Sequence, residues 1–236
     1  MSEMPGAALV EPASAPYRAA GRFAWHFARG KLARDPVFAA ILARGLLAER
    51  KRILDLGCGQ GLLASWLLAA QAAHRAGSYP HEWPRPPVPE ELTGIEINPR
   101  DVARARAALG GRARIVEGDI RHVDYGPANA IVLLDVLHYT DYASQEAVLE
   151  RARASLAPRG VLLLRVGDAE GGARFALGTL VDRVVALVRR RRLLPLACRP
   201  AREWRTLLER LGFATEALPM SRGTPFANVL LVGKLP

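Results

Sequence analysis

Apolar positions along the chain change their spacing near residue 52. Before that point they recur at helical intervals. One run covers 17–33, with Phe23, Phe27 and Gly30 near one side. A second covers 35–50, opened by Asp35 as N-cap and Pro36 at the first helical position. Residues 1–16 place Pro5, Pro12 and Pro16 among small side chains and read as a flexible leader. After residue 52 the pattern becomes short apolar runs at 53–56, 92–97, 114–117, 130–137, 161–166, 214–218 and 228–232. These are separated by helical stretches at 61–75, 99–109, 141–156, 173–190 and 201–211. Continuous apolar runs suit strands covered on both faces, and regular strand–helix alternation forces right-handed crossovers. The fold expected is α/β: a three-layer sandwich around a seven-stranded, mostly parallel, Rossmann-like sheet, with N-terminal helices over 17–50 and a helical lid insert over 168–200. Ligands of such sheets bind beyond the carboxyl ends of the strands.

Residues 76–90 (AGSYPHEWPRPPVPE) are too rich in proline for helix or strand and form an insert before the second strand. Like the insert at 168–200, this one is placed to cover a site. Beyond the leader, 17–236 reads as a single domain, large enough to build its core without disulfides or a structural metal. Cys58 and Cys198 stand in no metal-like spacing, the histidines are scattered, and no metal is expected. The absence of a signal-like start and of an apolar run of 18 residues points to the cytoplasm.

The richest segment is ILDLGCGQG, residues 53–61. A strand runs into Asp55, glycines follow at 57, 59 and 61, and an apolar helix starts behind them. Glycine is needed where backbone turns with positive φ and approaches a ligand, and the helix N-terminus behind it favours an anionic group. The dinucleotide fingerprint wants its third glycine at the sixth position, which here is Leu62. A carboxylate two residues ahead of the first glycine repels pyrophosphate and suits an ammonium. A ligand with an amino-acid moiety fits better. The second strand ends in Glu96, followed by Ile97, and a carboxylate there can accept the hydroxyls of a ribose. The third ends near Asp119 and Ile120, where the carboxylate and a backbone group can read an adenine.

Together DLGCGQG, Glu96, Asp119 and the apolar strand entering Asp135 resemble the class I methyltransferases that use S-adenosylmethionine, over roughly residues 50–168. The resemblance implies S-adenosyl-L-methionine as cofactor. Asp55, Gly57, Cys58, Gly59 and Gly61 would hold its methionine portion, Glu96 and Ile97 its ribose, and Asp119 with Ile120 its adenine, with Asp135 closing the set. His138, just past the fourth strand, is the candidate general base for a hydroxyl or phenol acceptor, with His26 as alternative. Enzymes of this kind that methylate base amino groups usually carry Asn or Asp followed by Pro-Pro-aromatic at this point. Here the residues are Asp135, Val136, Leu137 and His138, which disfavours base N-methylation.

Segment 21–38 (GRFAWHFARGKLARDPVF) is similar to methyltransferases of bacterial aryl-polyene and related polyketide-type pigment pathways. That similarity implies secondary metabolism and an aromatic or polyene acceptor, free or on an acyl carrier protein, methylated at oxygen or carbon. The charge bears on the partner: 33 basic against 23 acidic residues give +10, and 30 of the cations are arginine. Arg189, Arg190, Arg191 and Arg192 are a candidate docking patch for an acidic carrier or an anionic membrane surface. Trp25, Phe27, Trp83 and Phe175 are candidate lid aromatics. The alternatives are an RNA methyltransferase, which the charge favours but no base-reading motif supports, and a non-catalytic cofactor-binding partner protein.

Overall fold

A computed structural model describes residues 6–168, 197–221 and 227–236. The helices are α1 Ala7–Ser14, α2 Arg22–Arg34, α3 Pro36–Ala43, α4 Leu62–Arg75, α5 Pro99–Leu109, α6 Tyr142–Ser155 and α7 Ala201–Arg210. The strands are β1 Arg52–Leu56, β2 Glu91–Glu96, β3 Arg114–Glu117, β4 Ala128–Leu134, β5 Leu156–Gly167, β6 Ala214–Pro219 and β7 Asn228–Lys234. They form one sheet in the order β3-β2-β1-β4-β5-β7-β6. The first five strands pair in parallel, and β7 runs antiparallel to both β5 and β6. From β1 the chain builds outward to β2 and β3, then returns to place β4 on the other side of β1. The carboxyl ends of β1 and β4 therefore flank the point where the winding reverses, the place where open α/β sheets form their ligand crevice.

Alternation along the strands divides the core into two layers. Ala130 and Val132 of β4 face α1 to α5, while Ile131 and Leu133 face α6 and α7, whose Val148, Leu149, Trp204 and Leu208 are buried against them. With both faces covered, the strands can be apolar throughout. Helix starts follow the sequence signals. Asp35, Asn98 and Asp141 each accept a backbone N–H of the helix they open, from Val37 (3.2 Å), Arg100 (3.0 Å) and Ser144 (2.8 Å).

The expected flexible leader is instead folded from Ala7 onward. Leu9, Ala13 and Tyr17 recur every four residues, lie on one helical side and are completely buried. The small, buried Ala13 and Ser14 let α1 approach α4 closely, where Ser65 Oγ donates to the Ala13 carbonyl (2.6 Å). Beyond a 3-10 turn over Ala15–Arg18, the Tyr17 hydroxyl donates to the Gln60 carbonyl in the glycine loop (2.8 Å). Tyr17→Phe leaves that buried carbonyl unpaired and should cost about 1–3 kcal/mol of unfolding free energy, measurable by urea denaturation.

The proline insert does not cover the crevice. It feeds β2 at its amino end, opposite the carboxyl ends, and braces the N-terminal helices there. A Cβ on Gly6 would meet the Trp83 ring at 2.9 Å, and Gln71 Nε2 donates to the Pro87 carbonyl (2.9 Å). Residues 169–196 lie outside the described residues, and with them the expected helix at 173–190, Phe175 and the arginines 189–192. No helix among the described residues is long and apolar enough to cross a membrane.

Candidate active site

The loop after β1 folds back over β2. Gly57 and Cys58 both donate their N–H to the Ile95 carbonyl, at 2.8 and 3.0 Å. Gly57 has φ +72°, and a Cβ there would lie 2.5 Å from Val136, so no side chain fits between the ends of β1 and β4. Gly59 also has positive φ, but nothing stands within 4 Å of where its Cβ would be. Its bare backbone faces open space at the mouth of the crevice. The Cys58 side chain packs inward, its Sγ 2.7 Å from where a Cβ on Gly94 would stand. Burial, then Asp55 and Glu96, push its thiol well above the usual range.

Two carboxyl groups support this loop. Glu96 Oε2 accepts the Gly59 N–H (3.0 Å) and Oε1 the Asn98 N–H (2.8 Å). Asp55 lies beside it, and burial together with the neighbouring Glu96 carboxylate pushes its carboxyl up to about 7. Two acids buried side by side make a place that attracts positive charge. Ile97, the next residue, is 52% exposed, an apolar surface at the same mouth. The end of β3 is tied in through the Gly118 N–H, which donates to the Glu96 carbonyl (3.0 Å). Asp119 caps the Arg121 N–H (2.9 Å) and pairs with its guanidinium (2.6 Å), and these bonds hold its carboxyl below the usual range. Ile120 is buried, its carbonyl accepting from Tyr125 and Arg151.

The raised Asp55 gives a pH test. A native group that keeps its proton to higher pH than the unfolded chain makes stability fall as pH rises, here across the window from about 4 to about 7. Asp55→Asn should flatten that part of the profile. Thermal melts of the ligand-free protein and variant across this range check it.

The opposite wall was not legible as a unit in the sequence. β4 was expected to reach residue 137, but it stops at Leu134 because Asp135 takes φ +59°, and a 3-10 turn Leu137–Tyr139 follows. Asp135 is not presented bare to the crevice. Arg165, wholly buried near the end of β5, donates through Nε to Asp135 Oδ1 (2.8 Å) and pairs through its other nitrogens with Asp135 Oδ2 and Asp35 Oδ1. Lys31 Nζ on α2 completes a quartet, 3.1 Å from Asp35 and 3.5 Å from Asp135. Burial raises both carboxyls, but Arg165, then Lys31, outweigh it and hold them low. An arginine inside the apolar run of β5 was the available signal.

His138 lies buried on the 3-10 turn, its ring 4.1 Å from that of Tyr139. Its carbonyl accepts the Ala197 N–H (3.0 Å). His26 is exposed on the outer side of α2, against Trp25 (4.5 Å). The structure thus brings Asp55, the glycines, Glu96 and Ile97 together, with Asp119 engaged by Arg121 and Asp135 by the quartet.

The methyltransferase domain family matches residues 24–218, most of the chain. The chain belongs to that family, the class I S-adenosylmethionine-dependent methyltransferases. Among solved structures, this methyltransferase is similar to an O-methyltransferase family protein from Burkholderia thailandensis, with a TM-score of 0.62 at 19% identity, over 92% of this chain and 61% of that one. It is also similar to a magnesium protoporphyrin IX methyltransferase from Synechocystis PCC 6803 with bound S-adenosylhomocysteine, with a TM-score of 0.59 at 18% identity, over 94% of both chains. At these identities the likeness is one of fold. A carboxy-S-adenosyl-L-methionine synthase of Chromohalobacter salexigens is 41% identical over 140 residues, which are 55% of this chain and 47% of that protein. Its namesake in Aliivibrio fischeri is 30% identical over 134 residues, covering 52% and 50%. The methyltransferase spans about half the length of the curated relatives it matches.

Proposed function

We propose that this methyltransferase moves the methyl group of S-adenosylmethionine to the oxygen or carbon of a small aromatic or polyene acceptor, free or carrier-bound. The observation that carries the donor half is the pairing of an open glycine backbone with two crowded carboxyls at the reversal point of the sheet. Asp55, buried beside Glu96, would meet the positive charge of the donor, which brings both an ammonium and a sulfonium. Glu96 takes the ribose hydroxyls. A carboxylate offers about four acceptor positions, so holding the Gly59 and Asn98 amides leaves this role compatible. Ile97 covers a face of the nucleoside, and Asp119 with Ile120 reads its base edge.

When bound, the donor supplies an already activated methyl for in-line displacement. What remains for the protein is alignment and exclusion of water, worth on the order of 7–11 kcal/mol in well-oriented systems. α2 contributes by lying across the glycine loop, where Gln60 Nε2 donates to the Ala24 carbonyl (3.2 Å). The quartet fixes the acceptor wall, and His138 beside it takes a proton from a hydroxyl acceptor.

A second reading comes from the relatives named carboxy-S-adenosyl-L-methionine synthase, namely that the donor is itself the acceptor, its methyl carbon losing a proton and taking the carboxyl group that a carboxylic-acid co-substrate, included among the candidate acceptors, releases. Mass spectrometry of the nucleosides after incubation with donor and candidate acceptors separates the two. Methyl transfer yields S-adenosylhomocysteine and a methylated acceptor. A nucleoside heavier by one carbon dioxide unit, without S-adenosylhomocysteine, overturns the first reading in favour of the second.

A further inference from the structure

The positive charge of this chain is not spread evenly. Residues 15–34 hold five cations and no acid, and residues 98–116 hold five cations and Asp101 alone, a net +9 within a chain of +10. The other 197 residues together carry +1. A compositional bias toward arginine would not concentrate the excess in this way. Lys31 turns to Asp35 and Asp135, but the fold brings other parts of the two stretches together: Arg104 on α5 lies over the ring of Phe23 on α2, 4.7 Å from its centroid. Arg18 and Arg29 flank the Trp25 ring at 4.9 and 5.8 Å, so the rings hold guanidiniums in fixed positions. Phe23, 59% exposed, stands among them as an apolar anchor. The face borders the crevice, because α5 starts at Asn98, directly after Glu96 and the exposed Ile97.

We propose that this face docks an acidic protein that delivers the acceptor. The proposal deepens the carrier-bound form of the function above and rests on it. An exposed aromatic ringed by arginines is the composition of a protein interface, and pre-positioned guanidiniums suit carboxylates. The face already carries one: Glu11 of α1 lies 2.7 Å from Arg18 and 4.0 Å from Arg29. Cations already lie over the Phe23 and Trp25 rings, which makes them poor stacking platforms for the bases of an RNA.

The test is interferometry with the full chain and two probes, a holo acyl carrier protein and a single-stranded RNA oligonucleotide, at low and moderate salt. The carrier should bind in a salt-sensitive way. Phe23→Ala and the double variant Arg22→Glu/Arg100→Glu should each weaken it at least about tenfold. Both reversals fall in first helical turns, where an acid is tolerated. RNA binding without carrier binding, binding of neither probe, or carrier binding unchanged in the variants each overturns the proposal. S-adenosylhomocysteine should stabilise these variants as it does the parent. If it fails to stabilise even the parent, the donor assignment falls, while the docking result is read on its own.

Discussion

Glu96→Ala should remove most of the thermal stabilisation that S-adenosylhomocysteine is expected to give this methyltransferase. At 100 times its dissociation constant a ligand that binds only the folded state adds about 2.7 kcal/mol. In the proposed binding mode two charge-assisted hydrogen bonds from ribose hydroxyls reach Glu96 and contribute on the order of 1.5–3 kcal/mol each, so their loss should cut affinity at least about a hundredfold. The same carboxylate also receives the Gly59 and Asn98 amides, so the variant should melt somewhat lower without ligand. The two effects separate in melts with and without ligand. A lower ligand-free melt combined with an undiminished ligand shift would show Glu96 to be a loop brace and nothing more.

Arg165→Met should be the most destabilising single change in the wall built by β4 and β5. The methionine fills the space, but Asp35 and Asp135 keep only the partly exposed Lys31 between them. Removing one partner from a buried ion network costs about 3–5 kcal/mol, because the remaining charges stay out of water without compensation. The triple variant Arg165→Met/Asp35→Asn/Asp135→Asn should recover much of that loss. Urea denaturation of both proteins checks it. A triple variant no more stable than the single one would mean that packing around Arg165, not its charge, holds the wall.

What could be read from the sequence follows from how local each signal is. Strand positions and the glycine loop were legible because burial on both faces and a positive-φ turn leave direct marks on residue type, as in Leu54 and Gly59. The cap at Asp35 was equally plain, and Asn98 and Asp141 cap their helices in the same way. The leader was misjudged because its prolines and alanines read as disorder, although Leu9, Ala13 and Tyr17 kept helical spacing. Asp135 was placed with the donor through the resemblance, as the residue that the apolar fourth strand enters. Its partners Lys31, Asp35 and Arg165 come from three distant segments, and only the folded chain brings them together. The proline insert was credited with covering a site although it follows a helix and precedes β2, an order that puts it at the amino ends of the parallel strands, away from the carboxyl-end crevice.

The hydroxyl tie from Tyr17 to residue 60 makes the first helices a tensioner for the donor loop. Changes on α1 that touch no ligand will therefore be felt as altered loop rigidity. Amide exchange at residues 57–61 should quicken when the tie is cut, which makes the amino-terminal region a place to tune donor residence time without altering the chemistry.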